Sequence, residues 1–88
     1  MRLSKDFLVH DADENELVLI PTDRVPFHGV IHGNITFKRI VKLLEKDTDK
    51  EKMADELMNS YSGAEREEVE RDIDEVLSKL REVGALEE

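Results

Sequence analysis

The sequence predicts an α+β fold, a three-stranded antiparallel β-meander followed by three α-helices. Three observations carry this prediction. The first 33 residues hold short apolar runs separated by turn-forming residues. From Asn34 onward the apolar positions take helical spacing, in three segments that each open on a capping residue. The last of these segments, within Ser62 to Glu88, carries the most regular apolar stripe, which the rest of the chain must cover.

Phe7-Leu-Val-His10 is an apolar run that reads as the first strand, and Asp11 to Asn15 is a polar turn cluster. Leu17-Val-Leu-Ile20 is the second run, closed by Pro21, which suits a strand end. Two runs joined by about five polar residues predict an antiparallel hairpin. Thr22 to Phe27, with Asp23 and Pro26, reads as a loop. Gly29-Val-Ile-His32 reads as the third strand, stopped by Gly33.

Asn34 is a good N-cap for the first helix. Phe37, Ile40, Val41, Leu43 and Leu44 form its stripe, through about Lys46. Thr48 and Glu51 form a capping box for the second helix, with Met53, Ala54, Leu57, Met58 and Tyr61 on one side. Gly63 can close that helix while Ser62 and Glu65 form the capping box of the third. There Val69, Ile73, Val76, Leu77 and Leu80 make one stripe, and Gly84 ends the helix. At about 1.5 Å per residue this helix is roughly 30 Å long.

Eighty-eight residues make a single domain, 1–88. The absence of cysteine excludes disulfides, cysteine nucleophiles and thiolate metal sites. Met1 to Asp13 holds no apolar run long enough for a signal peptide or membrane span, so a cytoplasmic protein is expected. The net charge is −9. It concentrates in residues 62–88, where ten acidic and four basic residues give −6. Such a chain repels phosphate and anionic lipid, which speaks against nucleic-acid and membrane partners.

The candidate chemical constellations do not add up to a reaction. Asp11-x-Asp13-x-Asn15 resembles the start of a calcium loop, but Glu16 and Thr22 stand where glycine and glutamate are needed. It reads as a hairpin turn. His28 and His32 lie four apart, on one side of a strand, and lack the further ligands of a zinc site. They read as ordinary loop and strand-end histidines. The four glycines are scattered, so no phosphate loop is present, and no serine sits in a nucleophile elbow or a carrier-protein context. On α-helical spacing, Glu67–Arg71 and Glu75–Lys79 are expected as i,i+4 pairs. The expectation is a protein that is not an enzyme, with no catalytic residue, metal or cofactor.

Lys5-Asp-Phe-Leu-Val9, Leu17-Val-Leu-Ile-Pro21, Phe27-His-Gly-Val-Ile31, Asn34, Leu43-Leu44, Met53-Ala-Asp-Glu-Leu57, Asp72-Ile73, Val76-Leu77, Leu80 and Gly84-Ala-Leu-Glu87 occur in one order along nearly the whole chain. In this the chain resembles PqqD-like proteins, recognition domains for leader segments of ribosomally made peptides destined for modification. Gly33 stands where that family usually has leucine, Ile35 where it has a polar residue, and Phe37 where it often has a small one. Asp47-Thr48 replaces an Asp-Gly step.

The resemblance implies a winged-helix-like fold with its strands first, and a leader peptide bound as an extra strand beside the third strand and over the last helix. Phe27, Gly29, Val30, Ile31 and His32 would then form the edge, and Val69, Ile73, Val76 and Leu77 the helical wall. An open edge offers unpaired backbone groups for strand addition, and it can equally pair with itself in a homodimer. The implied function is a non-catalytic peptide chaperone that presents a precursor peptide to a modifying enzyme, often a radical S-adenosylmethionine maturase. The alternatives are a winged-helix DNA-binding regulator and a structural protein–protein interaction subunit.

Overall fold

A computed structural model describes residues 1–26 and 29–88. Its elements are β1 (Arg2–Leu3), β2 (Phe7–Asp13), β3 (Glu16–Pro21), β4 (Ile31–Gly33), α1 (Ile35–Leu43), α2 (Lys50–Ser60), α3 (Arg66–Glu82) and β5 (Leu86–Glu87). The fold is α+β, with a three-stranded antiparallel sheet followed by three helices, as the sequence predicts.

The hairpin forms where the polar cluster breaks two apolar runs. Asn15 N–H donates to Asp13 Oδ1 at 2.7 Å, an Asx turn that fixes the connection. The register slips by one residue between Asp11 and Asp13. Beyond that bulge Leu8 faces Ile20 and Phe7 faces Pro21. Alternation then decides the faces: Phe7, Leu17 and Leu19 are buried, whereas Leu8 and Ile20 are exposed. β4 pairs with β3 through Ile31–Leu19, His32–Val18 and Gly33–Leu17.

The third strand is shifted from its predicted place. Gly29 has φ of 122° and precedes the strand together with Val30, whereas Gly33 belongs to it. Gly33 does not stop the strand because its backbone is extended and Phe37 covers it; the stop is Asn34, which caps α1 by accepting from Phe37 N–H at 3.1 Å. Phe27 and His28 lie outside the described residues.

Neither predicted capping box forms. Thr48 exchanges backbone bonds of 2.8 Å with Met1, and Asp49 becomes the N-cap of α2, accepting from Lys52 N–H at 2.8 Å. α3 starts at Arg66 behind Glu65, whose side chain makes no cap bond. Gly63, at φ 81°, turns the chain between Ser62 and that start. α1 ends at Leu43, short of Lys46.

The end of α3 follows expectation. Gly84 takes φ of 76°, Gly84 N–H donates to Arg81 O at 3.1 Å and Ala85 N–H to Leu80 O at 2.8 Å. This is a Schellman closure, with Leu80 and Ala85 both fully buried at the turn. It aims β5 back at β1, pairing Leu3 with Leu86. One apolar cluster joins Leu17, Leu19 and Ile31 of the sheet to Ile40 and Val41 of α1, Met53 and Leu57 of α2, and the α3 stripe. Among the described residues, no helix is long and apolar enough to cross a membrane.

Candidate functional site

The sheet order β2–β3–β4 leaves β4 with a strand neighbour on one side only, among the described residues. Its other side presents backbone groups that β3 does not use. Ile31 points into the apolar cluster, and His32 alternates to the solvent side. His32 Nδ1 sits 3.0 Å from Glu16 Oε1, so its polar partner is a carboxylate of the neighbouring strand. Val30, just before β4, is 47 % exposed.

α1 packs against both β4 and α3, so it forms the corner between the open edge and the last helix. The sequence-derived wall on α3 is more covered than strand addition alone would require. Ile73 is fully buried and Leu77 nearly so, while Val69 and Val76 keep 7 % and 8 % exposure. Ile73 and Leu77 are therefore core residues in this structure. Beside them on α3, Val69 and Val76 are slightly less covered, and Asp72 is half-buried.

A cavity of about 480 Å³ opens where α1 starts, lined by Ile35, Arg39, Leu57, Tyr61, Val69 and Asp72 among others. Its lining comes from α1, α2, α3 and the α2–α3 connection, and includes no β4 residue. Its floor is mostly apolar, and the Arg39 guanidinium stacks over the Tyr61 ring at 4.4 Å from the centroid. Arg39 and Tyr61 were not among the sequence-derived site residues. Tyr61 closes the α2 stripe, and no one-dimensional pattern pairs it with a cation on α1.

The charges around the site are unevenly neutralised. On the α2 side of α3, Lys50 pairs with Asp74 and Arg66 with both Asp55 and Glu70. These two carboxylates raise the Arg66 pKa, the Asp55 hydrogen bond foremost. The expected Glu67–Arg71 and Glu75–Lys79 pairs do not form, and among the described residues Arg66–Glu70 is the i,i+4 pair of the helix. On the hairpin, Asp11 accepts from Lys42 Nζ at 2.9 Å and lies 3.5 Å from Lys38. Those lysines, Lys42 first, hold the Asp11 carboxyl below the usual range. The acidic turn is thus tied to α1. Among the described residues, no group of three His, Asp or Glu side chains is placed to hold a metal ion.

Comparison with known proteins gives two findings. The family model described as Coenzyme PQQ synthesis protein D (PqqD) matches residues 16–86. A solved structure, TbiB1 in complex with the TbiA(beta) leader peptide, is similar with a TM-score of 0.82 and 26% sequence identity. That likeness covers 99% of this chain and 95% of the other. No curated protein matches the chain in sequence.

Proposed function

This chain belongs to the PqqD family, and from that membership we propose that it captures the leader segment of a precursor peptide by strand addition at β4 and presents it to a modifying enzyme. The observation that carries this reading is the open side of β4 beside the corner made by α1 and α3. The similarity to a protein seen with a leader peptide supports the class of ligand. The role proposed for the chain is binding, without chemistry of its own.

The edge is proposed to comprise Val30 to Gly33, with Gly29 at its entry. Val69 and Val76 are proposed as the α3 margin, with Ile73 and Leu77 as the packed support behind them. Magnitudes show why the margin is needed. Three main-chain bonds contribute about 0.5–1.5 kcal/mol each. Micromolar binding requires about −8 kcal/mol. The peptide must therefore also bury apolar side chains, at about 1.5–3 kcal/mol each, and the cavity lined by Ile35 and Val69 offers one place for them. A radical S-adenosylmethionine maturase is the proposed recipient of the bound peptide. Any iron–sulfur cluster would be the maturase's own, since this chain has no cysteine.

The test is hydrogen exchange with the isotope-labelled chain, titrated with the leader half of a short peptide encoded beside it. Amides of Ile31, His32 and Gly33 are expected to shift and to gain protection. Saturable binding that leaves all three unchanged would sink strand addition at β4.

A further inference from the structure

β4 carries one polar side chain. Its residues are Ile31, His32 and Gly33, and Ile31 is turned into the core. His32 faces solvent, with 63 % of its side chain exposed, so space beside it is open. A strand added at this edge sets one outward residue directly beside His32, with Cβ atoms about 4.5–5.5 Å apart.

A carboxylate holds the His32 ring. Its Nδ1 lies 3.0 Å from Glu16 Oε1. A neutral imidazole has one N–H and one acceptor nitrogen, whereas an ionised carboxylate only accepts. The proton of the neutral ring therefore sits on Nδ1, and Nε2 is left as an acceptor that points away from Glu16. In every other ion pair among the described residues the cation is a lysine, an arginine or the N-terminal ammonium.

The sheet lacks a fixed cation of its own. β2, β3 and β4 contain Asp11, Asp13 and Glu16, and no lysine or arginine. Asp11 is answered from α1 by Lys42 and Lys38, but among the described residues Glu16 meets only His32. The outward neighbours do not offset its charge: Val18 pairs with both His10 and His32, and Leu8 faces Ile20. Opposite charges on neighbouring strands stabilise a sheet, and like charges destabilise it. A strand arriving at β4 thus meets an acceptor nitrogen backed by negative charge.

Resting on the strand-addition reading, we infer that His32, oriented by Glu16, determines specificity on the outward side of the added strand, taking a lysine or arginine beside it and rejecting aspartate or glutamate. A basic side chain donates to Nε2 and approaches the Glu16 charge. An acidic one sets acceptor against acceptor and like charge against like. Glu16 is a positioning residue, acting through the ring.

The experiment starts from a synthetic peptide enriched on the wild-type chain from a phage-displayed random library. Nuclear Overhauser contacts identify its residue beside His32, and versions with lysine, alanine and glutamate there are compared at about pH 8, where an ordinary imidazole is neutral. Wild type is expected to bind the lysine version about five- to tenfold more tightly than the glutamate version, with alanine between. His32→Val, checked for native circular dichroism, is expected to reduce that ratio to about twofold or less. Glu16→Ala is expected to reduce it as well, and to abolish the Nδ1–H tautomer that a long-range proton–nitrogen NMR spectrum should show in the wild type. Equal binding of the three peptides by wild type, or an Nε2–H tautomer there, overturns the inference while leaving strand addition standing. An undiminished ratio in folded His32→Val does the same, because it assigns the preference to the overall charge of the chain. If His32→Val does not fold, an undiminished ratio in Glu16→Ala overturns it instead. A wild type whose enriched peptides never contact β4 overturns both this inference and the reading beneath it.

Discussion

Gly84 is the residue on which the path of the last segment turns. Its φ of 76° lies where an L side chain clashes with the following carbonyl, a penalty of roughly 1–2 kcal/mol. No atom obstructs a Cβ there, so the cost of Gly84→Ala would be conformational, without overpacking. For a domain of this size, a loss of about 1 kcal/mol lowers the melting temperature by roughly 4–8 °C. Gly84→Ala is expected to show such a fall in a thermal melt; an unchanged melt would mean that the Schellman turn does not hold β5. The position was legible because glycine just past an apolar stripe has a specific mechanism. The packing of Phe37 over Gly33 was not legible, because proximity in space leaves no trace in spacing along the chain. Ile73 shows the opposite limit. Periodicity placed it on the stripe, yet no pattern separates a core residue from a ligand-facing one. Its complete burial means that a charge there probes folding, whereas Val69 and Val76 keep slight exposure.

At the level of elements, the sheet and α1 are joined by charge as well as by packing. Asp11 on β2 meets Lys42 and Lys38 on α1, and its carboxyl pKa is depressed, chiefly by the Lys42 hydrogen bond. A depressed folded-state pKa adds stability above the unfolded value, about 3.9 for aspartate. That contribution fades as pH falls through the lower folded value. Asp11→Asn is therefore expected to melt slightly below wild type near neutral pH, with the gap closing as pH falls through the lower folded value. A gap that persists in acid would assign the effect to packing or to the bulge at Asp11. The pair is exposed, so the neutral-pH effect is expected to be small and to shrink with added salt. Long elements were legible in the sequence, and their ends were not. Thr48 was read as a cap on local grounds, but its backbone is claimed by Met1, 47 residues away, leaving Asp49 to cap α2. β1 and β5 were not foreseen because two-residue strands carry no period. They exist through pairing with each other and through the bonds of Leu3 N–H to Leu44 O and Ser4 N–H to Ala85 O, both 2.8 Å.

For the whole molecule, the distribution of charge separates peptide capture from the rival role of a DNA-binding regulator. Helix-first recognition would require α3 to enter a major groove. Its exposed surface carries Glu67, Glu68, Glu75 and Glu82, none of which forms an ion pair among the described residues. The basic residues of this segment are partly engaged: Arg66 holds Asp55 and Glu70, and Arg81 holds Glu88. DNA binding draws its affinity from cations that displace counterions at phosphate, and the net charge of −9 opposes even the first approach. An added peptide strand draws on different resources, since backbone bonds at β4 need no net charge. The expected outcome is no retardation of random-sequence or promoter duplex DNA in a gel shift, even at low salt where electrostatic binding is strongest. A control variant with Glu67, Glu68, Glu75 and Glu82 changed to lysine is expected to acquire weak, salt-sensitive retardation, showing that the assay detects this surface. Tight, salt-sensitive binding by the wild type would instead place its cationic contacts outside α3 and remove the electrostatic case against the regulator.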